Sequence, residues 1–339
     1  MHWSHMLESE LRTYLKDKGY PAYRGTQLFE ALHHHHKGKE EITNLPKDLL
    51  GDLEDLKEEL KIEYVLSSQI DETKKMIYRL WDGEIIEGVL MKYQHGYSLC
   101  VSTQVGCLMG CSFCASTVNG KARDLSAYEI ASQVYRVEDY FDISISNIIL
   151  MGSGEPLDNY EAVIRALRLL HEERGQYMSY RNMTLSTCGL VPGILSLARE
   201  DLPITLAISL HYTDQELRAH YMPIGKRYPL DELRQALEDY YQKTRQRITI
   251  EYTLIEGIND KIEDIKGLED FVRHFHSHIN VIPLNPVDSF AGDRPERRHV
   301  EDFAKALQKK GLNATIRREL GRDIAASCGQ LKAAYSLDE

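Results

Sequence analysis

Apolar side chains recur at helical spacing in the first part of the chain. Leu7, Leu11 and Leu15 are four residues apart, so they share one face of a helix. Pro21 ends this segment, and a second acidic, leucine-rich segment follows after a turn. We therefore predict a small helical accessory domain over residues 1–62.

A different pattern begins at residue 63, where short runs rich in tyrosine, isoleucine and valine predict a small antiparallel β extension to residue 99. Beyond it, strand-like runs alternate with helical stretches. The runs are Asn147–Met151, Asn182–Ser186, Ile204–Ser209, Ile248–Thr253, Asn280–Leu284 and Ala314–Arg317. This alternation predicts an α/β fold over residues 100–331, in which crossover helices join parallel strands into a full or partial barrel. Residues 332–339 would form a C-terminal tail.

Polar residues follow four of these strands: Gly152 to Glu155, Ser186-Thr187, Ser209 to His211, and Asn285-Pro286. A barrel of this kind places its functional site at the carboxyl ends of its strands. We therefore expect these residues to meet in one site.

The composition is that of a globular protein, with 42% hydrophobic and 27% charged residues. The first residues lack the basic and apolar regions of a secretory signal, and no apolar run is long enough to span a membrane. We expect a cytoplasmic protein without a membrane partner. In the cytosol, the crowding of cysteines between Cys100 and Cys114 indicates metal or redox chemistry rather than disulfides.

The net charge of −11 argues against a protein that coats nucleic acid by charge alone, because phosphates require lysine and arginine. Local basic clusters occur at Arg245–Arg247, at Arg294–Arg298, and at Arg317-Arg318 with Arg322. Each either forms a local nucleic-acid-binding surface or is a solvated face paired with neighbouring acids.

Three thiols lie close together in Cys107-Leu-Met-Gly-Cys111-Ser-Phe-Cys114. One loop with this spacing can hold a 4Fe-4S cluster, and three ligands leave one iron open to chelate S-adenosylmethionine. That iron can pass an electron to the sulfonium and break a carbon–sulfur bond. The alternative is a zinc site completed by His95 or a distant cysteine, although zinc ligands usually come in paired two-residue spacings.

With Phe113 before the third cysteine and Gly152–Pro156 further along, the chain resembles the radical S-adenosylmethionine superfamily. The segments Cys100–Cys107 and Ser327–Leu331 more narrowly resemble the RlmN family of ribosomal RNA adenine methyltransferases and the related Cfr family. This resemblance begins at about Tyr23 and covers nearly the whole chain. It implies a partial (β/α)6-type barrel and a 4Fe-4S cluster on the three cysteines.

The resemblance also implies a radical route, because C2 and C8 of adenine are too electron-poor to attack the methyl group of S-adenosylmethionine. One S-adenosylmethionine would methylate Cys328. A second would be cleaved to a 5′-deoxyadenosyl radical that takes hydrogen from this methyl group, so each turnover uses two. The methylene radical would add to the ring, and Cys100 would then release the base through a transient disulfide with Cys328.

Glu87 occupies the position of the proton acceptor in the resembling family. A carboxylate among the apolar neighbours of Ile85–Leu90 holds a proton more readily, which suits a general base. The alternative is an outward-facing glutamate of a strand.

Gly154 would permit close approach of a ligand, and Glu155 could hold the ammonium group of the methionine moiety. By resemblance, further residues of the S-adenosylmethionine pocket are Ser186, Ser209, Leu210, His211 and Asn285.

Four residues depart from the family pattern. Ser153 stands where many relatives carry methionine, and Ala325 and Ser327 replace residues common before the methyl-carrying cysteine. These changes bear on substrate position rather than on chemistry. Cys188 is an extra thiol that we interpret as structural.

The expected reaction is methylation of C2 of an adenine in 23S ribosomal RNA and, as in many members, of an adenine beside the tRNA anticodon. The alternative is a Cfr-like C8 methyltransferase that confers antibiotic resistance. We expect a monomer that receives electrons from a flavodoxin-like or other one-electron reductant. Two other classes are a radical enzyme acting on a protein or small molecule, and an iron–sulfur electron carrier, which would leave Gly154 and Glu155 unexplained.

Overall fold

The computed structural model describes residues 2–55, 60–287 and 290–331, so the predicted tail of residues 332–339 lies outside the described residues. The N-terminal part contains the helices α1 (Glu8–Asp17), α2 (Tyr23–His33) and α3 (Lys47–Asp52). Leu11 and Leu15 of α1 are fully buried, as the spacing predicts. Helices α1 and α2 pack at close range, since a Cβ atom on Gly25 would lie 2.4 Å from the backbone nitrogen of Arg12.

A run of antiparallel strands follows: β1 (Leu60–Ser67), β2 (Lys74–Leu80) and β3 (Ile85–Tyr93). A short turn then leads into β4 (Gly96–Cys100), which pairs antiparallel with β3. The first strand begins three residues before the position predicted from the sequence. On its other side β4 pairs parallel with β7, so it joins the β extension to the rest of the sheet.

The remaining chain alternates between helices and strands. Two short strands, β5 (Gln104–Gly106) and β6 (Lys121–Asp124), flank the cysteine loop and pair with each other. The other strands are β7 (Ile145–Leu150), β8 (Met183–Thr187), β9 (Thr205–Ser209), β10 (Ile248–Leu254), β11 (Ser277–Pro283) and β12 (Ala314–Ile316). The helices are α4 (Ala127–Phe141), α5 (Tyr160–His171), α6 (Val191–Leu197), α7 (Gln215–Tyr221), α8 (Ile224–Arg227), α9 (Leu230–Thr244), α10 (Ile262–Val272) and α11 (Arg297–Lys309).

Strands β4 and β7 to β12 pair in parallel, in the order of the chain. In the described residues β1 and β12 are the two edges of this ten-stranded sheet, so the barrel is open rather than closed. The predicted α/β fold with a partial barrel is confirmed. Every residue of β10 is buried, as expected for a central parallel strand covered on both faces. Among the described residues, we find no helix with the length and apolar character needed to cross a membrane.

Candidate active site

A cavity lies at the carboxyl ends of the parallel strands, where the sequence placed the functional site. Most of the predicted site residues line it: Cys107, Cys111, Cys114, Gly154, Glu155, Ser186, Ser209, His211, Asn285 and Cys328. They come from distant parts of the sequence and meet because parallel strands end at one edge of the sheet.

The cysteine loop is fixed at several points. The backbone N–H of Cys107 donates to the carbonyl of Gly120 at 3.0 Å, and that of Ser112 donates to the carbonyl of Tyr221 at 3.0 Å. Cys107 and Cys111 are buried, and burial is the main cause that raises the pKa of all three thiols, that of Cys107 to about 12. Each thiol therefore keeps its proton unless a metal replaces it.

These three thiols have the donor atoms that a 4Fe-4S cluster needs, and they line one cavity. In the described part of the chain, no group of three or more histidine, cysteine, aspartate or glutamate side chains is arranged to hold one metal ion. A 4Fe-4S cluster binds each cysteine through a different iron, so its ligands need not converge on one point. The three thiols nevertheless line the same cavity and influence one another electrostatically.

Gly154 and Glu155 follow β7 and form one wall of the cavity. The carboxylate of Glu155 accepts hydrogen bonds from the backbone N–H groups of Cys188 at 2.8 Å and Leu157 at 3.0 Å. Burial raises the pKa of Glu155. Gly154 has a φ of +109°, and a Cβ atom there would lie 2.7 Å from Cβ of Gln104. The position therefore requires glycine for both its conformation and its space.

His211 is held as a neutral imidazole. Its Nδ1 accepts a hydrogen bond from the backbone N–H of Thr253 at 3.0 Å. Burial, with a smaller contribution from Arg218, lowers the pKa of His211 to about 3. Its Nε2 therefore carries the proton and can donate. Ser186 and Ser209 also face each other here, with 3.5 Å between their hydroxyl oxygens.

Hydrogen bonds join the loop that carries Cys328 to the end of the cysteine loop. The side-chain amide of Asn285 donates to the carbonyl of Cys328 at 3.1 Å. The backbone N–H of Ala115 donates to the carbonyl of Gly329 at 2.8 Å, and the hydroxyl of Ser116 donates to the carbonyl of Leu331 at 2.8 Å. These bonds place Cys328 in the cavity that holds the three other thiols.

Cys100 lies at the end of β4, beside that loop. It is buried with Val89, Ala326 and Leu331, and it is a free thiol like Cys328. Burial, followed by the nearby Cys328, raises the pKa of Cys100 to about 12. The structure thus brings together the two cysteines that the family resemblance pairs.

Glu87 is fully buried on β3 and forms an ion pair with Lys75 of β2. Lys75, Val89 and Cys100 are in register across three strands. Side chains two residues apart on a strand point to the same face, so Glu87 shares a face with Cys100. The outward-facing alternative for Glu87 does not hold.

The sequence did not identify three charged residues of this region. The sequence placed Arg317 in a basic cluster, but in the structure Arg317 lines the cavity. Its guanidinium group donates a hydrogen bond to the carboxylate of Glu251 at 3.0 Å. The negative charge that Cys328 carries when it is a thiolate is the first cause that raises the pKa of Arg317. Glu251 is a buried acid within an otherwise apolar and neutral strand, a signal that could have been noticed.

Arg218 is the third of these residues, and no sequence signal marks it. Its buried guanidinium group donates to the carbonyls of Leu210 and Cys188, each at 2.6 Å, and of Ser209 at 3.2 Å. Arg218 thereby ties the ends of two strands together. The side chain of Leu210, predicted for the S-adenosylmethionine pocket, is packed in the hydrophobic core.

Comparisons with known proteins agree with this geometry. The family model described as "Radical SAM superfamily" matches residues 101–271. A protein of Clostridium beijerinckii named "Probable dual-specificity RNA methyltransferase RlmN" is 44% identical over 331 residues, which cover 96% of this chain and 93% of that protein. A protein of Alkaliphilus oremlandii with the same name is 45% identical over 325 residues, which cover 95% of each. The crystal structure of a radical SAM methyltransferase from Sphaerobacter thermophilus has a TM-score of 0.91 and 39% identity, covering 98% of this chain and 100% of that one.

Proposed function

Because this chain belongs to the RlmN family of radical S-adenosylmethionine methyltransferases, we propose that it methylates C2 of an adenine in 23S ribosomal RNA and of an adenine beside the tRNA anticodon. One observation carries the proposal: Cys328 lines the same cavity as the three cysteines of the cluster motif. A Cfr-like C8 activity is not favoured, since the similar proteins carry the RlmN name.

Cys107, Cys111 and Cys114 hold the 4Fe-4S cluster. When bound, the cluster supplies the electron that cleaves S-adenosylmethionine. Glu155 accepts the ammonium group of the methionine moiety, and Gly154 leaves room for it. Ser186, Ser209, His211 and Asn285 complete the pocket through hydroxyl, imidazole and amide groups, and Leu210 contributes its backbone.

Cys328 carries the transferred methyl group and remains bonded to the adenine after the carbon–carbon bond forms. Glu87 accepts the proton of the ring carbon, and the ammonium of Lys75, 2.8 Å from its carboxylate, provides a countercharge. The Cys100 thiolate then attacks the sulfur of Cys328, which forms a disulfide and breaks the bond between that sulfur and the methylene carbon. The electron pair of the broken bond stays with the released base, and its methylene carbon takes up one proton to become the methyl group. A reductant must reopen this disulfide before the next turnover.

The helices of residues 1–62 would act as an RNA-presenting accessory domain beside the β extension of residues 63–99 and the core of residues 100–331. The enzyme would work as a cytoplasmic monomer. Its electrons would come from a flavodoxin-like or other one-electron reductant.

Mass spectrometry of nucleosides tests the proposal directly. The anaerobically reconstituted enzyme is incubated with unmodified 23S ribosomal RNA or tRNA, S-adenosylmethionine and a reducing system. Formation of 2-methyladenosine is expected. Detection of 8-methyladenosine would replace the proposal with the Cfr-like activity, and deoxyadenosine without RNA methylation would point to a protein or small-molecule substrate.

A further inference from the structure

A second cavity of about 470 Å3 lies next to the active site, between the ends of β11 and β12 and the first turn of α11. Five arginines and two glutamates are among its lining residues: Arg294, Arg297, Arg317, Arg318, Arg322, Glu301 and Glu319. This is a strongly basic site in a chain whose net charge is −11.

Two of these arginines differ from the others in having no protein partner among the described residues. Arg294 is bonded to Glu319, and Arg297 to Glu301 at 3.0 Å. The side chains of Arg318 and Arg322 are exposed, and within residues 2–55, 60–287 and 290–331 their guanidinium groups form no hydrogen bond or ion pair. Their hydrogen-bond donors are therefore free for a ligand in solution.

The chemistry of the cavity suits an anion with several oxygen atoms. A guanidinium group presents donors in a planar fork that matches a phosphate. The positive end of the dipole of α11, whose first turn borders the cavity, also favours negative charge.

The basic cavity and the active site share a wall. Arg317 lines both cavities. Pro283 lines the basic cavity, while its neighbours Ile282 and Leu284 line the active site. Arg322 and Cys328 also lie on one closed loop, in which the hydroxyl of Ser327 donates to the carbonyl of Leu320 at 3.1 Å.

We propose that this arginine-lined cavity binds backbone phosphates of the RNA substrate beside the target adenine, through Arg318 and Arg322. The proposal rests on the proposed function. A base that enters a buried cavity must leave its stack, and the protein must hold the neighbouring backbone while it does so. Arg318 and Arg322 line the cavity that adjoins the one lined by Cys328, so they would hold that backbone beside the methyl-carrying cysteine.

The test uses the full-length, cluster-loaded enzyme with the double variant Arg318→Gln/Arg322→Gln. The dissociation constant for a transcribed 23S ribosomal RNA fragment is measured at several salt concentrations. We expect weaker binding and a salt dependence that is shallower by about 0.7 in logarithmic slope for each phosphate that the variant no longer neutralises. The KM for RNA should rise more than kcat falls, because phosphate binding precedes the chemistry.

Arg298→Gln is the matched control. Arg298 lies in the first turn of α11, beside Arg297, but it does not line the cavity. Its side chain is 89% exposed and lies 3.9 Å from Asp302. This variant should keep the affinity and salt slope of the original enzyme. The double variant Arg318→Lys/Arg322→Lys keeps the charge and should recover most of the salt slope, which separates phosphate binding from a loss of folding.

The outcomes separate this proposal from the function on which it rests. If the original enzyme produces no methylated adenosine, the proposed function fails. If it methylates RNA but Arg318→Gln/Arg322→Gln binds RNA with unchanged affinity and salt slope, the phosphate site alone is wrong, and the arginines form a solvated surface.

Discussion

The ammonium of Lys75 lies 2.8 Å from the carboxylate of Glu87, and both side chains are buried, with exposed fractions of 3% and 0%. A buried pair of this kind stabilises little beyond its own desolvation, but the loss of one partner leaves a charge in an apolar environment. The ammonium of Lys75 is therefore a countercharge to Glu87 on the face of the sheet that carries Cys100.

Replacement of this lysine should show its role. We expect Lys75→Met to lower the free energy of unfolding by about 3–5 kcal/mol, because Glu87 loses its cation. In such a site the carboxylate takes up a proton more readily, so the acidic limb of the methylation rate profile should move to higher pH. Chemical denaturation and single-turnover methylation across the pH range measure the two effects.

Lys92→Met is the control for this change. Lys92 belongs to the same β extension and pairs with Glu72 at 2.6 Å, but both side chains are exposed. Such a surface pair contributes at most about 1 kcal/mol. Equal effects of the two substitutions on the pH profile would remove Lys75 from the proposed proton transfer.

Loss of Cys100 should trap the reaction after the carbon–carbon bond has formed. We expect Cys100→Ala to accumulate a covalent adduct between Cys328 and RNA, visible as a shifted band on a denaturing gel. Cys188→Ala is the matched control, since Cys188 is also a buried thiol and lines the active-site cavity; it should form no adduct. Release of methylated RNA by Cys100→Ala at the normal rate would exclude Cys100 from the mechanism.

The pH dependence of release follows from the burial of Cys100. Burial is the main cause that raises the pKa of Cys100, and it also acts when the sulfur of Cys328 is bonded to the base, so only a small fraction of Cys100 is thiolate at neutral pH. The thiolate is the attacking species, so the rate of release should increase by about tenfold per pH unit until another step limits it. Single-turnover release of methylated RNA from the original enzyme, which keeps Cys100, measures this slope from neutral to alkaline pH. A rate that does not change with pH would mean that thiolate formation does not limit release.

The sequence predicted much of this architecture because the parallel strands read as short apolar runs with polar ends. The run at Ile248–Thr253, for example, coincides with β10 to within one residue. Spacing could not separate Arg317 from Arg318, which are neighbours in one basic cluster. In the structure Arg317 turns to Glu251 while Arg318 faces the second cavity.

Contacts between distant segments were also beyond the sequence. The Lys75–Glu87 pair depends on the register of β2 against β3, which the residue pattern does not specify. Arg218 bonds to carbonyl groups, which every residue carries, so no residue type marks its partners.

Gly154 offers a test of how closely the pocket wall is built. In Gly154→Ala the new Cβ atom would meet Gln104, whose side-chain oxygen accepts the backbone N–H of Glu155 at 2.8 Å. The displacement should loosen Glu155 and weaken S-adenosylmethionine binding by about tenfold or more, equivalent to about 1.4 kcal/mol.

Gly257→Ala is the matched control: its φ of +72° makes alanine strained there too, but no atom lies within 4 Å of the added Cβ. Both variants should lose about 1 kcal/mol of stability from backbone strain, whereas only Gly154→Ala should lose affinity in equilibrium dialysis with S-adenosylmethionine. If both variants bind S-adenosylmethionine as tightly as the original enzyme, the close approach at Gly154 does not shape the pocket.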